Sequence, residues 1–343
     1  MNGSGTPHPP DGASAEVRWV HADLGLDESH RTALMRLAKL GPPAEPVRLP
    51  PPTQCADLLQ RLGVAPPDID EALAARPSKA AHPGMWWLLE RCHHELVQHM
   101  GRPGSLGGWP ALPETHGAVG RYFYVWVYLA TLPFVRRYHA ERGIPDETSW
   151  EILAALGAQL ANRRALFGTG GLHTHEWMTV HFRGLIYALG RLYFERLPIW
   201  FDAEDRTVGR RAPRRGEWSL GVHIPEGRLT PEACDASFDR ARGFFREHFP
   251  DEAYRHATCV SWVLDPQLEE YLSPTTNIIR FQKRFSLLPA GEANDNATVV
   301  EFVFRRPLTD LGDLPQETTL QRGIVEHIRA GRTWKFRTGW IDL

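Results

Sequence analysis

Histidines are the side chains of this 343-residue sequence best suited to moving protons, and three places stand out. The densest is Leu172-His-Thr-His-Glu-Trp177, which sets His173 and His175 before Glu176, with His181 farther along. On an extended strand His173 and His175 share one face. The segment then fits two metal ligands, a base with its orienting carboxylate, or plain loop polarity. A metal site wants three or four converging ligands. Only two are assured here, so no metal is expected, and His175 with Glu176 is the preferred proton-transfer pair. His223 closes the apolar run 218–224; imidazole titrates near neutrality and suits a general base, the plainer reading being a histidine bonded to a loop carbonyl. The third place is Cys92-His93-His94-Glu95 with His99. Glu95 and His99 share a helical face, but the His-Glu-two-residue-His order of a zinc protease is absent. Core packing with a solvated face accounts for that segment.

The elements that must carry these residues have two textures. Apolar spacing predicts helices over 28–40, 53–62, 68–75, 85–99 and 122–139, and over 148–167, where Thr148 and Glu151 form a capping box. The Pro-rich stretch 41–52 is a linker or arm, and residues 1–27 read as a disordered or extended start. Glycines at 168–171 end this helical domain, 28–168. Beyond them, strands are expected over 177–183 and 185–197, joined around Gly184, then over 218–224. A helix starts at Thr230, with Pro231 in its first turn, and runs to about His248. Then come a strand over 257–264, short helices over 266–272 and 276–284, and a hairpin of 285–288 with 298–305. A final helix, 319–330, leads into 334–341. The charged stretch 202–216, with Arg206, Arg210, Arg211, Arg214 and Arg215, reads as an exposed loop.

Composition narrows the partners. With 39 basic and 41 acidic residues the net charge is -2, which gives no global reason to expect nucleic acid. No run of about 18 apolar residues marks a membrane span, and the start lacks the order of a signal peptide. The four cysteines, Cys55, Cys92, Cys234 and Cys259, are scattered and read as buried thiols of a cytoplasmic protein. Cys259 has no base or electropositive setting to make it a nucleophile.

The element order over 172–305 resembles the N-acetyltransferase (GNAT) superfamily. Six phrases sharpen the likeness: Leu220-Gly-Val-His-Ile-Pro-Glu-Gly, Leu229-Thr-Pro-Glu-Ala, Phe244-Phe245 to Phe249-Pro250, Cys259-Val-Ser-Trp-Val-Leu-Asp-Pro, Asn277-Ile-Ile-Arg-Phe and Thr318-Thr-Leu-Gln-Arg. In order, they look like the bacterial acyltransferases that join a helical N-terminal domain to a GNAT-like C-terminal domain. The resemblance implies an α/β (α+β) fold, with a splayed mixed sheet flanked by helices over 172–343. It also implies transfer of an acyl group from acyl-CoA or an acyl carrier protein to a small-molecule amine or hydroxyl.

By that resemblance, the splayed strands are 218–224 and 257–264. The thioester arm lies between them against Val222, Ile224 and Ser261, with Asn277 and Phe281 on the helix beyond. His223 becomes the base, with Glu176 and His175 as further candidates. Glu226, Gly227 and Arg228 form the loop whose helix N-terminus holds the pyrophosphate. Two departures stand out. Pro225-Glu-Gly-Arg-Leu-Thr lacks the superfamily's pattern of Gln or Arg, two residues, Gly, one residue, then Gly or Ala, and leaves Arg228 to supply charge. Gln282 falls where a tyrosine normally protonates the leaving thiolate, so another residue or water must act. Both departures also fit a non-catalytic binding protein on this fold, and a thioester hydrolase or decarboxylase is a third reading.

Overall fold

The structure is a computed structural model that describes residues 12–203, 212–289, 295–309 and 311–343. The predicted basic loop falls largely outside the described residues. The chain forms two compact units: residues 1–138, 153–163 and 170–183 make the first, and 139–152, 164–169 and 184–343 the second.

The helices of the first half are α1 (Gly12–Asp23), α2 (Arg31–Leu40), α3 (Pro52–Arg61), α4 (Pro66–Ala74), α5 (Pro83–Gln98), α6 (Gly117–Glu141), α7 (Asp146–Leu153), α8 (Ala155–Phe167) and α9 (His175–Phe182). Proline in the first turn starts α3, α4 and α5, where its missing N–H costs nothing. Helix α1 replaces the disorder or extension expected before residue 28. It buries Val17 and Val20, and Glu16 accepts hydrogen bonds from Arg91 (2.7 Å) and Trp87 (2.6 Å) of α5. Residues 114–141 are long and apolar enough to cross a membrane, yet 67% of the window is buried inside the protein, as in a core helix.

The single helix expected over 148–167 is two, and α7 begins at Asp146 rather than at a Thr148 cap. Helix α8 starts against the loop after α3: Gly157 N–H bonds Leu62 O at 3.0 Å. A Cβ on Gly157 would stand 2.0 Å from Gly63 O, so only glycine admits this approach. Of residues 177–183, expected as a strand, 177–182 belong to α9 and Arg183 caps it. Met178 and Phe182, one helical turn apart, are both buried. After α9, Arg183 donates to Gly104 O (2.9 Å) and Arg102 O (3.1 Å), which ties the segment to the first unit. The boundary expected at 168–172 therefore falls after Arg183.

The second unit holds a six-stranded sheet of β1 (Ile186–Ala188), β2 (Tyr193–Pro198), β3 (Trp218–His223), β4 (His256–Ser261), β5 (Ser286–Leu287) and β6 (Arg337–Asp342), in spatial order β1-β2-β3-β4-β6-β5. Only β3 and β4 run parallel. The connection between them is α10 (Pro231–His248), with Thr230 as N-cap accepting from Ala233 N, as the sequence predicts. Phe238 of α10 meets Phe194 of β2 edge-on at 5.5 Å.

Helices α11 (Asn277–Gln282), α12 (Asn296–Phe304) and α13 (Thr319–Arg329) complete the unit, α13 with a capping box of Thr318 and Gln321. The hairpin expected from 285–288 and 298–305 does not form. The β-branched run Thr298-Val-Val lies in α12, which Asp295 caps by accepting from Thr298 N at 2.9 Å. The 285–288 segment finds its partner in β6 instead, through Ser286↔Trp340 and Leu287↔Gly339.

Candidate active site

Strands β3 and β4 pair at Ser219↔His256, Leu220↔Ala257 and Gly221↔Thr258. No pairing between them extends farther among the described residues. Each stays with its other neighbour: Val222 and His223 face Phe194 and Tyr193 of β2, while Cys259, Val260 and Ser261 face Gly339, Thr338 and Arg337 of β6. The sheet thus splays open after Gly221 and Thr258, leaving facing backbone edges that can receive an extended chain.

Alternation assigns the two faces of the splay. Leu220 and Val222 share the face of Phe194, against α10; Gly221 and His223 share the other face with Tyr193, Glu195, Thr258 and Val260. His223 lies on this second face with its side chain 33% exposed, and its Nε2 meets Glu195 Oε2 at 2.8 Å. Glu195 stands opposite Gly221, so it reaches His223 along the strand diagonal. A carboxylate that takes the Nε2–H leaves the ring's lone pair on Nδ1, an arrangement suited to a general base. Gly221 keeps the space clear, since a Cβ there would fall 2.5 Å from Leu197 Cδ2 and 3.5 Å from Glu195 Cβ. Val260, 49% exposed, lines the same face across the splay.

The loop after β3 carries Ile224, Glu226, Gly227 and Arg228 toward the N-terminus of α10, as expected. Glu226 pairs with Arg305, the residue that ends α12 in a left-handed conformation. Gly227, at φ +122°, makes the turn, and Arg228 is exposed. Val222 is buried toward α10 and offers the splay its backbone only. Ser261 accepts from Val263 N at 3.1 Å and caps a short 3-10 turn. Asn277 is half-buried at the start of α11.

Other candidates take structural places. Phe281 is buried against Phe285, so its side chain belongs to the core rather than to a cofactor. Gln282 is buried too, and its amide donates to Val263 O (3.2 Å) and Asp265 O (2.8 Å), which removes it from proton transfer. Burial pushes the Cys259 thiol up to about 12, which makes it inert as a nucleophile.

His175 and Glu176 belong to the first unit and His223 to the second. Helix α9 also removes the strand on which His173 and His175 were to share a face. His175 is buried, stacks on Tyr124 at 4.1 Å and faces Trp109 O at 3.5 Å; burial lowers its pKa. Glu176 accepts Trp109 N–H at 2.9 Å. Both side chains meet the backbone of Trp109. Glu195 was not singled out in the sequence, because only the β2–β3 register brings it to His223.

An oriented histidine beside a splayed parallel pair, with a helix N-terminus at the end of the first strand, defines an acyltransferase of GNAT type. Comparison with known proteins agrees. The GNAT-like C-terminal domain family matches residues 186–341, and the N-acyltransferase N-terminal domain family matches 53–184. The chain belongs to the acyltransferases that combine these two domains. Among curated proteins no relative matches. Three solved structures are each 44% identical to this chain. The first is an acyltransferase mutant in complex with octanoyl-CoA, with a TM-score of 0.87, covering 96% of this chain and 99% of its own. The others are an acyltransferase with decanoyl-CoA and teicoplanin, and one with CoA and 10C-teicoplanin, both with TM-scores of 0.86 and covering 95% of this chain and 99% of theirs.

Proposed function

We propose that this acyltransferase moves a medium-length acyl group from acyl-CoA to an amine of a teicoplanin-like small molecule, with His223 as general base held by Glu195. The observation that carries the reading is the 2.8 Å His223–Glu195 contact on the open face of the splay. In support, the similar structures contain octanoyl-CoA, decanoyl-CoA and teicoplanin. The thioester lies between β3 and β4. The acceptor nitrogen attacks its carbonyl carbon from the His223 face, and Nδ1 takes the proton that the nitrogen sheds. The tetrahedral intermediate collapses by breaking the C–S bond, which leaves an amide and CoA thiolate, and the thiolate then gains a proton from the histidinium or water.

Purified protein mixed with octanoyl-CoA or decanoyl-CoA and teicoplanin is expected to give a product heavier by one acyl group by mass spectrometry. Release of free fatty acid with unmodified acceptor would replace transfer by hydrolysis. No consumption of either thioester would end the reading.

A further inference from the structure

Arg191 sits in the turn between β1 and β2. Its backbone N–H and that of Leu192 both bond Ser237 Oγ of α10, at 2.7 and 3.3 Å. From this fixed base the guanidinium reaches the loop after β3. Nε donates to Arg228 O at 2.8 Å and Nη2 to Gly227 O at 2.7 Å. Across a planar trans peptide, one residue's carbonyl and the next residue's N–H point in opposite directions. Drawing these two carbonyls onto Arg191 therefore turns the N–H groups of Arg228 and Leu229 away from it. Neither N–H has an acceptor among the described residues, although Leu229 is buried. A buried amide is rarely left without an acceptor, so water or a ligand serves where the protein supplies none.

The cation itself is unusual for its setting. Among the described residues Arg191 makes no ion pair with a carboxylate; burial lowers its pKa, and Cys234 and Tyr193 oppose that. The two turned amides and the N-terminus of α10 share one end of the loop, and together they form a cradle for an anion, which Arg191 shapes from behind through the two carbonyls.

We propose that Arg191 builds the diphosphate cradle of this chain, in place of the glycine-rich amides that its loop lacks. It is a positioning residue, acting through the carbonyls of Gly227 and Arg228, and it selects a donor that carries a nucleotide diphosphate over one that does not. The inference rests on the acyl-CoA reading above.

The test compares octanoyl-CoA with octanoyl-pantetheine, which keeps the thioester arm and lacks phosphate. The wild type is expected to favour octanoyl-CoA in kcat/KM. Arg191→Met is expected to raise KM for octanoyl-CoA by ~10-fold or more, the loss of two charge-assisted bonds. Its kcat, and its kcat/KM for octanoyl-pantetheine, stay within about twofold, as for a lost binding interaction. Arg191→Lys keeps the charge without the two-bonded fork. It is expected to show the same split at smaller size, which supports the assignment even where the methionine variant folds poorly. Equal losses on both donors in the lysine variant would overturn the proposal, as would an unchanged KM in both variants. A wild type that uses both donors equally removes this proposal alone, whereas one that uses neither removes the acyl-CoA reading with it.

Discussion

In the proposed transfer, His223 and Glu195 divide one task. The imidazole accepts the proton, and the carboxylate fixes which ring nitrogen does so and favours the histidinium that forms. Replacing His223 by alanine is expected to lower kcat by roughly 100-fold or more, the usual worth of a general base. KM for acyl-CoA is expected to change little, because the thioester arm meets strand backbone rather than the imidazole. Glu195→Gln keeps the shape and loses the charge, so a smaller fall of about tenfold is expected. Steady-state kinetics with octanoyl-CoA checks both; full activity in His223→Ala would remove it from the mechanism. The sequence exposed His223 as a candidate because it ends a strand. It could not show Glu195, which lies 28 residues away and meets it only through strand register.

Positions such as Gly157 show how elements set the frame. The first turns of α8 lie against the backbone of Gly63, and the Gly157 N–H closes a bond to Leu62 O. A methyl group there would collide with main chain, which cannot swing aside as a long side chain does. Gly157→Ala is expected to destabilise the first unit by about 2 to 3 kcal/mol through overpacking. Thermal melting would show it as a fall of several degrees, and an unchanged midpoint would contradict the close approach. The misjudged elements have local causes of the same kind. Thr298-Val-Val carries β-branched residues yet folds as α12, since Asp295 caps it and Val299 and Val300 are buried. In 177–183 aromatic content suggests a strand, but the spacing of Met178 and Phe182 suits one helical face.

At the scale of the whole molecule, histidines with lowered pKa values bear on the response to acid. His93 is buried beside Thr131 Oγ1 at 3.0 Å, and burial, with a smaller push from His94, lowers its pKa to about 4 from 6.5. His99, His173, His175 and His327 are lowered in the same direction, each mainly by burial. Between the two pKa values the unfolded chain binds more protons than the folded one. His93 therefore contributes stability that is fully present above pH 6.5 and lost as pH falls toward 4, on the order of 3 kcal/mol at most. Urea denaturation of His93→Gln is expected to show a shallower loss over that window than the wild type. Parallel pH profiles for the two proteins would contradict the assignment.

The sequence alone determined the local events. Thr230-Pro231 starts α10, Thr318 with Gln321 caps α13, and proline or glycine punctuates most of the helices, because each signal needs only neighbouring residues. The order of elements and the phrases from Leu220 to Arg322 were enough to reach the family. Tertiary structure alone decided three things: where β3 and β4 part, that Glu195 stands beside His223, and that Arg191 reaches the loop after β3. Each depends on strand register or on a contact between elements distant in sequence, and no short-range pattern encodes either.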